Sequence, residues 1–185
     1  MKKFFDACKI IKNSVSISRK NEYVNIQKSS LRVLATDYKS KFDSPRMDLS
    51  SMDGAVILKK DEKKKKFKIV GESKAGNFFS KDFKSGQAKL IYTGAPIPGK
   101  NKIVVPKENF QIQTSSKEIF INKIPKENFI RKKGLDFKKK QVCLHKQDIL
   151  TFRSISLAKT MKIKKILVKR KPRINIILTG DELKS

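Results

Sequence analysis

Histidine occurs once in the 185 residues, at His145, and tryptophan not at all. A histidine-rich metal site within one chain is thereby excluded, and a Ser-His-Asp arrangement has a single residue to be built around. Cysteine is nearly as scarce: Cys8 and Cys143 stand far apart with no CxxC pair, which supports neither a disulfide framework nor a cysteine zinc site. That usage fits a reducing cytosol, so a soluble, cytoplasmic protein is expected. No run approaches the roughly 20 apolar residues of a membrane span. In the opening "MKKFFDACKIIKN", Asp6 and Lys9 interrupt any signal-peptide core, so no membrane partner is expected. The GxGxxG and Walker A patterns are both missing, which removes the usual nucleotide fingerprints.

Acids are also few: 17 against 45 basic residues, for a formal charge of +28. Such an excess suits an anionic partner such as nucleic acid, phosphate or a membrane surface. Only seven of the basic residues are arginine, however, and the lysines are spread along the whole chain. Arginine is the residue that makes bidentate base and phosphate contacts, so nucleic-acid binding by a small basic barrel rests on charge alone. Cys143 and His145, two apart on an expected strand, share a face; packing explains such neighbours better than a Cys-His nucleophile pair does.

What is present is a change of texture along the chain. Phe4, Cys8, Ile11 and Val15 recur at helical spacing and predict a first helix of about four turns. A short second helix is expected over Gln27 to Ala35. From Phe42 to about Phe137 the chain breaks into short segments, "GAVIL", "KFKIV", "AKLIYT", "KIVV" and "EIFIN", separated by Gly and Pro turns, as in a small barrel or sandwich. The lysine run "KKDEKKKK" falls between two of them as a solvated loop, and Phe78 and Phe79 are assigned to the core rather than to base stacking. Beyond Lys138 a strand pair, "QVCLH" and "KILVK", flanks a helix from Thr151, its N-cap, to about Met161. The expected class is therefore α+β. Residues 1–40 and 138–172 form an elongated linker domain, and residues 41–137 a β-rich, distorted-barrel domain inserted into it. Residues 173–185, "RINIILTGDELKS", read as a buried strand and glycine turn, the first strand of an α/β domain otherwise absent.

Carboxylates beside glycines complete the inventory: Asp48 and Asp53 in "MDLSSMDGA", Asp136 in "RKKGLDF", Asp181 and Glu182 in "TGDEL", with Thr93 exposed by the turn "IYTGAPIPG". Each alone is an ordinary turn signal. Together with "RVLATD" (32–37), "SPRMDLSSMDGAV" (44–56), "GESKAG" (71–76), "NFIRKKGLDF" (128–137) and "PRINIILTGDEL" (172–183), in this order over nearly the whole chain, they resemble the molybdopterin molybdenumtransferases, the molybdenum insertases related to the gephyrin E domain.

The resemblance implies an enzyme that inserts molybdenum from molybdate into adenylyl-molybdopterin, with Mg²⁺ as cofactor, acting as a homodimer. It also implies that this chain lacks most of the pterin-binding domain and would pair with a chain supplying it. By the same resemblance Asp53, Thr93, Asp136 and Glu182 are the catalytic residues, and Asp53, Asp136 and Glu182 the metal ligands. Ser50, Gly94, Lys132 and Lys133 are the binding residues for cofactor or anionic substrate. Carboxylates suit a hard cation that keeps several waters. Departures from the family pattern are Leu49 for asparagine, Ser51 for alanine, Ala55 for tyrosine, Leu135 for glutamate and Lys162 for glycine. The competing reading is a non-catalytic remnant or dimerisation module; on either reading the isolated chain is expected to leave its apolar tail disordered or to self-associate through it.

Overall fold

The computed structural model describes residues 3–14, 20–76, 82–178 and 180. Two helices, α1 (Phe4–Ser14) and α2 (Phe152–Thr160), stand near the ends. The first six strands are β1 (Asn21–Asn25), β2 (Tyr38–Lys39), β3 (Leu49–Ser50), β4 (Gly54–Leu58), β5 (Lys66–Ser73) and β6 (Gln87–Ile91). After them come β7 (Lys102–Pro106), β8 (Phe110–Gln113), β9 (Glu118–Ile121), β10 (Ile130–Arg131), β11 (Val142–Leu144) and β12 (Lys165–Lys169). The chain divides into two compact units, Met1–Lys39 with Val142–Ser185, and Ser40–Gln141.

In the first unit β1 pairs antiparallel with β12, Tyr23 opposite Leu167, and β2 pairs with β11. "QVCLH" and "KILVK" are thus strands, but each takes a partner from the N-terminal segment rather than the other. Leu34, Leu144, Leu150, Ala158, Ile166 and Val168 form the core. Arg32 is buried, donating to Glu22 and, at 2.7 Å, to the Lys169 carbonyl. The helix expected over Gln27 to Ala35 is a single 3-10 turn, Ile26–Lys28, capped by the Asn25 side chain. It ends because Leu31 takes a left-handed φ of 59°, and Leu34 is drawn into a bridge with Val168. Tertiary pairing here overrides the weak helical preference of the segment. Helix α1 forms as its spacing predicts, with Val15 outside the described residues, but none of its residues is buried.

Helix α2 starts at Thr151, whose hydroxyl accepts from the Ser154 amide. It ends in a Schellman arrangement: the Lys162 amide donates to the Lys159 carbonyl and the Ile163 amide to the Ala158 carbonyl. The C′ residue of that motif is left-handed, and Lys162 occupies it at φ 61°. A β-carbon there costs about 1 kcal/mol relative to glycine. Lys162→Gly is accordingly expected to stabilise the first unit by about that amount, seen as a higher urea midpoint at unchanged slope.

β12 ends at Lys169, and Ile174, Ile176, Ile177 and Leu178 lie in no strand, with three-quarters or so of each side chain in water. An apolar strand of this kind needs sheet neighbours and cover on both faces, and the described residues provide neither. Amides 174–178 are expected to exchange with solvent without protection in the monomer; slow exchange there would contradict this placement.

The second unit is built on a six-stranded sheet in the order β7-β4-β6-β5-β9-β8, with only β5 and β6 parallel. "GAVIL" and "KIVVP" lack polar alternation because both faces of the central strands are covered. Ala55, Ile57, Phe67, Ile119 and Val105 pack on one face, and Val56, Val104 and Ile91 meet Phe83, Ala95 and Ile97 on the other. Between Ile69 and Glu72 the β5–β6 register slips, with Gly71 at φ 148°, and the bulge helps curl the sheet.

The lysine loop after β4 is solvated, as expected, but Asp61, one of its two acids, is not. Asp61 is 3% exposed and accepts from the Gly86 amide (2.9 Å), the Ser85 hydroxyl (2.8 Å) and Lys64 (3.0 Å). Burial pushes its pKa up, but the Gly86 amide, Ser85 and Lys64 outweigh it and hold the carboxyl below the usual range. A depressed folded-state value stabilises the protein above the unfolded pKa of about 3.9, and that contribution is lost as pH falls through the folded value. Asp61→Asn should therefore melt lower than wild type at neutral pH. The gap should narrow in melts taken progressively below roughly pH 4.

Candidate functional site

Strands β4 and β6 run antiparallel with Gly54 opposite Ile91, so the residue before one and the residues after the other end at the same place. Asp53 and Thr93, forty residues apart, are thereby joined. The Asp53 Oδ1 accepts both the Thr93 amide and the Thr93 hydroxyl, each at 2.8 Å. Those two donors, with the Lys107 charge behind them, hold the Asp53 carboxyl below the usual aspartate range. Asp53 is an anion at neutral pH with one oxygen fixed and the other unused by any hydrogen bond within the described residues. A cleft of about 340 Å³ opens beside it, lined also by Leu90, Tyr92, Lys107, Phe110 and Ile112.

Ser50 and Gly94 belong to the same corner through their backbones. The Gly94 amide donates to the Ser50 carbonyl at 2.8 Å, and the Ser50 amide to the Ala95 carbonyl at 2.9 Å. The Ser50 hydroxyl is buried and donates to the Met52 carbonyl at 2.7 Å, so it braces the turn that carries Asp53 rather than facing a ligand. "TGAPIP" is pinned further by the Ser73 hydroxyl on the Pro96 carbonyl, 2.9 Å, and by a bridge between Leu49 and Pro96.

A second group of charges hangs from the β3–β10 pair, where Arg131 lies opposite Leu49. Lys132 binds Asp48 at 2.8 Å, and Asp48 also takes the Lys133 amide at 2.8 Å. Burial raises the Asp48 pKa, but Lys132 and the Lys133 amide prevail and the net shift is downward. The Lys133 ammonium reaches Asp43 at 3.3 Å. Asp43 is likewise lowered, first by the Lys139 amide and then by Lys133. Asp136 is held on both oxygens, by Arg131 at 2.8 Å and by the Ser44 hydroxyl at 3.0 Å.

Two groups of expected site residues therefore exist in the structure: Asp53, Thr93, Ser50 and Gly94, and Asp136 with Lys132 and Lys133. Glu182 lies outside the described residues. Nothing local in the sequence marks Arg131, Ser44 and Asp43 as partners, or Lys107 as the charge beside Asp53, although Arg131 and Ser44 fall within the quoted motifs. Lys132 and Lys133, expected to draw anions, are each engaged by an acid. No three His, Cys, Asp or Glu side chains gather as a metal site among the described residues. Mg²⁺ wants a near-octahedral set of oxygen ligands, and the Asp136 oxygens are turned to Arg131 and Ser44 with no other acid gathered beside them among the described residues. The described residues do not, by themselves, fit that ion.

The comparisons decide the family. The model of the "MoeA N-terminal region (domain I and II)" matches residues 3–161. The chain belongs to the MoeA family. Among its curated relatives, a molybdopterin molybdenumtransferase of Haemophilus influenzae is 34% identical over 164 residues, covering 88% of this chain and 40% of the relative. One from Staphylococcus epidermidis is 31% identical over 184 residues, covering 95% and 42%. A solved molybdopterin biosynthesis MoeA protein from Pyrococcus horikoshii superposes with a TM-score of 0.79 at 27% identity, covering 91% of this chain and 46% of that one. The MoeA fold seen here, a curled half-barrel sheet with few helices, is that of these structures, and the chain spans less than half the length of the relatives it matches. No helix among the described residues is long and apolar enough to cross a membrane.

Proposed function

We propose that this chain is the N-terminal half of a molybdopterin molybdenumtransferase, acting in insertion of molybdenum from molybdate into adenylyl-molybdopterin, with release of AMP. The observation that carries the proposal is the Asp53–Thr93 pair, an ionised carboxylate oriented by two donors at the edge of an open cleft, in a chain of this family. Asp53 is the catalytic group, Thr93 orients it, and Gly94 and Ser50 hold the turn. The Asp48–Lys132 and Asp136–Arg131 pairs fix the neighbouring β3–β10 segment, and Lys132 and Lys133 face anionic substrate once drawn from Asp48 and Asp43. Residues 1–40 and 138–172 are the linker domain and 41–137 the inserted domain. The pterin-binding domain comes from chain beyond these residues or from a partner, and the working form is a dimer in the cytoplasm.

The test is reconstitution: the purified chain, with and without a separately expressed pterin-binding half of a relative, receives adenylyl-molybdopterin, molybdate and Mg²⁺, and AMP is followed. Release only in the mixture supports the proposal. No release in any mixture, with both parts folded by circular dichroism, leaves the non-catalytic module as the reading.

A further inference from the structure

The left-handed C′ residue after α2, Lys162, borders a cleft that the proposed activity does not use. It is an open cleft of about 430 Å³ and lies wholly in the first unit. Buried Ile26 and half-buried Ile163 give it an aliphatic floor, Gln27 an amide wall, and Lys159, Lys162 and Lys164 a basic rim. No acid lines it, and none of the three lysines makes an ion pair among the described residues.

Two simpler explanations fall short. Lysine near a helix C-terminus answers the negative end of the helix dipole, but Lys159 in the last turn does so already. Lys162 adds its charge from a left-handed position at φ 61° that favours glycine. Strain of this kind persists where the surroundings, or a function, hold it. Nor do bare helix carbonyls repel an anion here, since those of Leu157, Ala158 and Lys159 accept from the amides of Met161, Ile163 and Lys162.

We infer that this cleft binds an acidic segment of a partner protein, seating one aliphatic side chain on Ile26 and Ile163 between carboxylates held by Lys159, Lys162 and Lys164. Charge complementarity selects the occupant's sign. The floor selects its class: aliphatic side chains suit Leu or Ile, whereas single-stranded nucleic acid seeks aromatic stacking surfaces and arginine.

The test uses the whole chain and a fluorescein-labelled Glu-Asp-Leu-Asp-Glu peptide, read by anisotropy. Lys162→Gly is the informative variant, because it relieves backbone strain while removing one rim charge. It should unfold at higher denaturant than wild type yet bind the peptide about fivefold more weakly, the size of one screened charge pair. Lys164→Glu should weaken binding further, as should replacing the peptide's Leu with Ser. Lys63→Glu, an equal charge change in the other unit, should leave affinity within about twofold. An equal loss in Lys63→Glu would reduce the effect to overall charge and overturn the inference. So would unaltered binding in Lys162→Gly and Lys164→Glu, or tighter binding of an oligothymidine of the same net charge.

Discussion

Gly54→Ala is expected to destabilise the second unit by at least about 3 kcal/mol, enough to leave much of a marginally stable domain unfolded. Gly54 opens β4, in the middle of the sheet, with β6 on one side and β7 on the other. A β-carbon there would stand 2.0 Å from the Val105 carbonyl oxygen, 2.9 Å from its carbon and 3.1 Å from the Pro106 Cα. All three are backbone atoms of a paired strand, so no side chain can swing aside, and relief requires β4 and β7 to part. The strands that would part carry Ala55, Val56, Ile57, Val104 and Val105, none of them measurably exposed. Gly76→Ala makes the contrast: its φ of 82° strains a side chain, but nothing lies within 4 Å, so a cost of about 1 kcal/mol is expected. Urea unfolding followed by circular dichroism checks both. A Gly54→Ala midpoint close to that of wild type would mean that the sheet yields at this edge. The glycine of the Met-Asp-Gly motif thus serves the close approach of two backbones, and it sets Asp53 at the mouth of the strand.

That role shows what a sequence conceals. The strands of the second unit were legible because β-branched runs between Gly and Pro turns leave few alternatives, and α2 because Thr151 caps an apolar period. What failed depended on pairing at long range. "QVCLH" and "KILVK" are strands, but which neighbour each takes is decided by the N-terminal segment. Gln27 to Ala35 lost its helix to bridges with Ile149 and Val168. Lysine in a strand reads as solvent-facing, yet Lys89 and Lys102 are buried on one face of the sheet. The Lys102 ammonium sits 4.3 Å from the Phe83 ring centre and 2.7 Å from Asp82, contacts spanning about twenty residues of chain. The candidate site shows the same division. Its residue types and motifs were visible, and so was the glycine expected where Lys162 stands, but the joining of Asp53 to Thr93 and of Asp136 to Arg131 was not. The first follows from the register of β4 on β6, which no local signal encodes, whereas the second closes over the Lys132–Leu135 turn between residues five apart.

In the reconstituted assay Asp53→Ala is expected to lower AMP release by about 100-fold or more, the loss found when one preorganised charged group leaves a reacting centre. Thr93 separates charge from placement. Thr93→Ser keeps both donors and should retain most activity; Thr93→Val keeps the amide and loses the hydroxyl, and a fall of about tenfold is expected. The same series has a readout that does not depend on turnover. The Asp53 pKa lies below the ordinary aspartate value chiefly through the Thr93 amide and then its hydroxyl. Removing only the hydroxyl should raise it part of the way back, and Thr93→Ser should leave it low, as followed by carbon-detected carboxyl titration in the isolated chain. A raised pKa in Thr93→Val with unchanged AMP release would show that the pairing orders the loop without serving the reaction. Asp53→Asn sharpens the point, since it keeps the acceptor oxygen for Thr93 but removes the charge. If it releases AMP as wild type does, Asp53 is a brace for the turn at Thr93-Gly94. If it fails as Asp53→Ala does, the charge of Asp53 serves the reaction and its role is more than a brace.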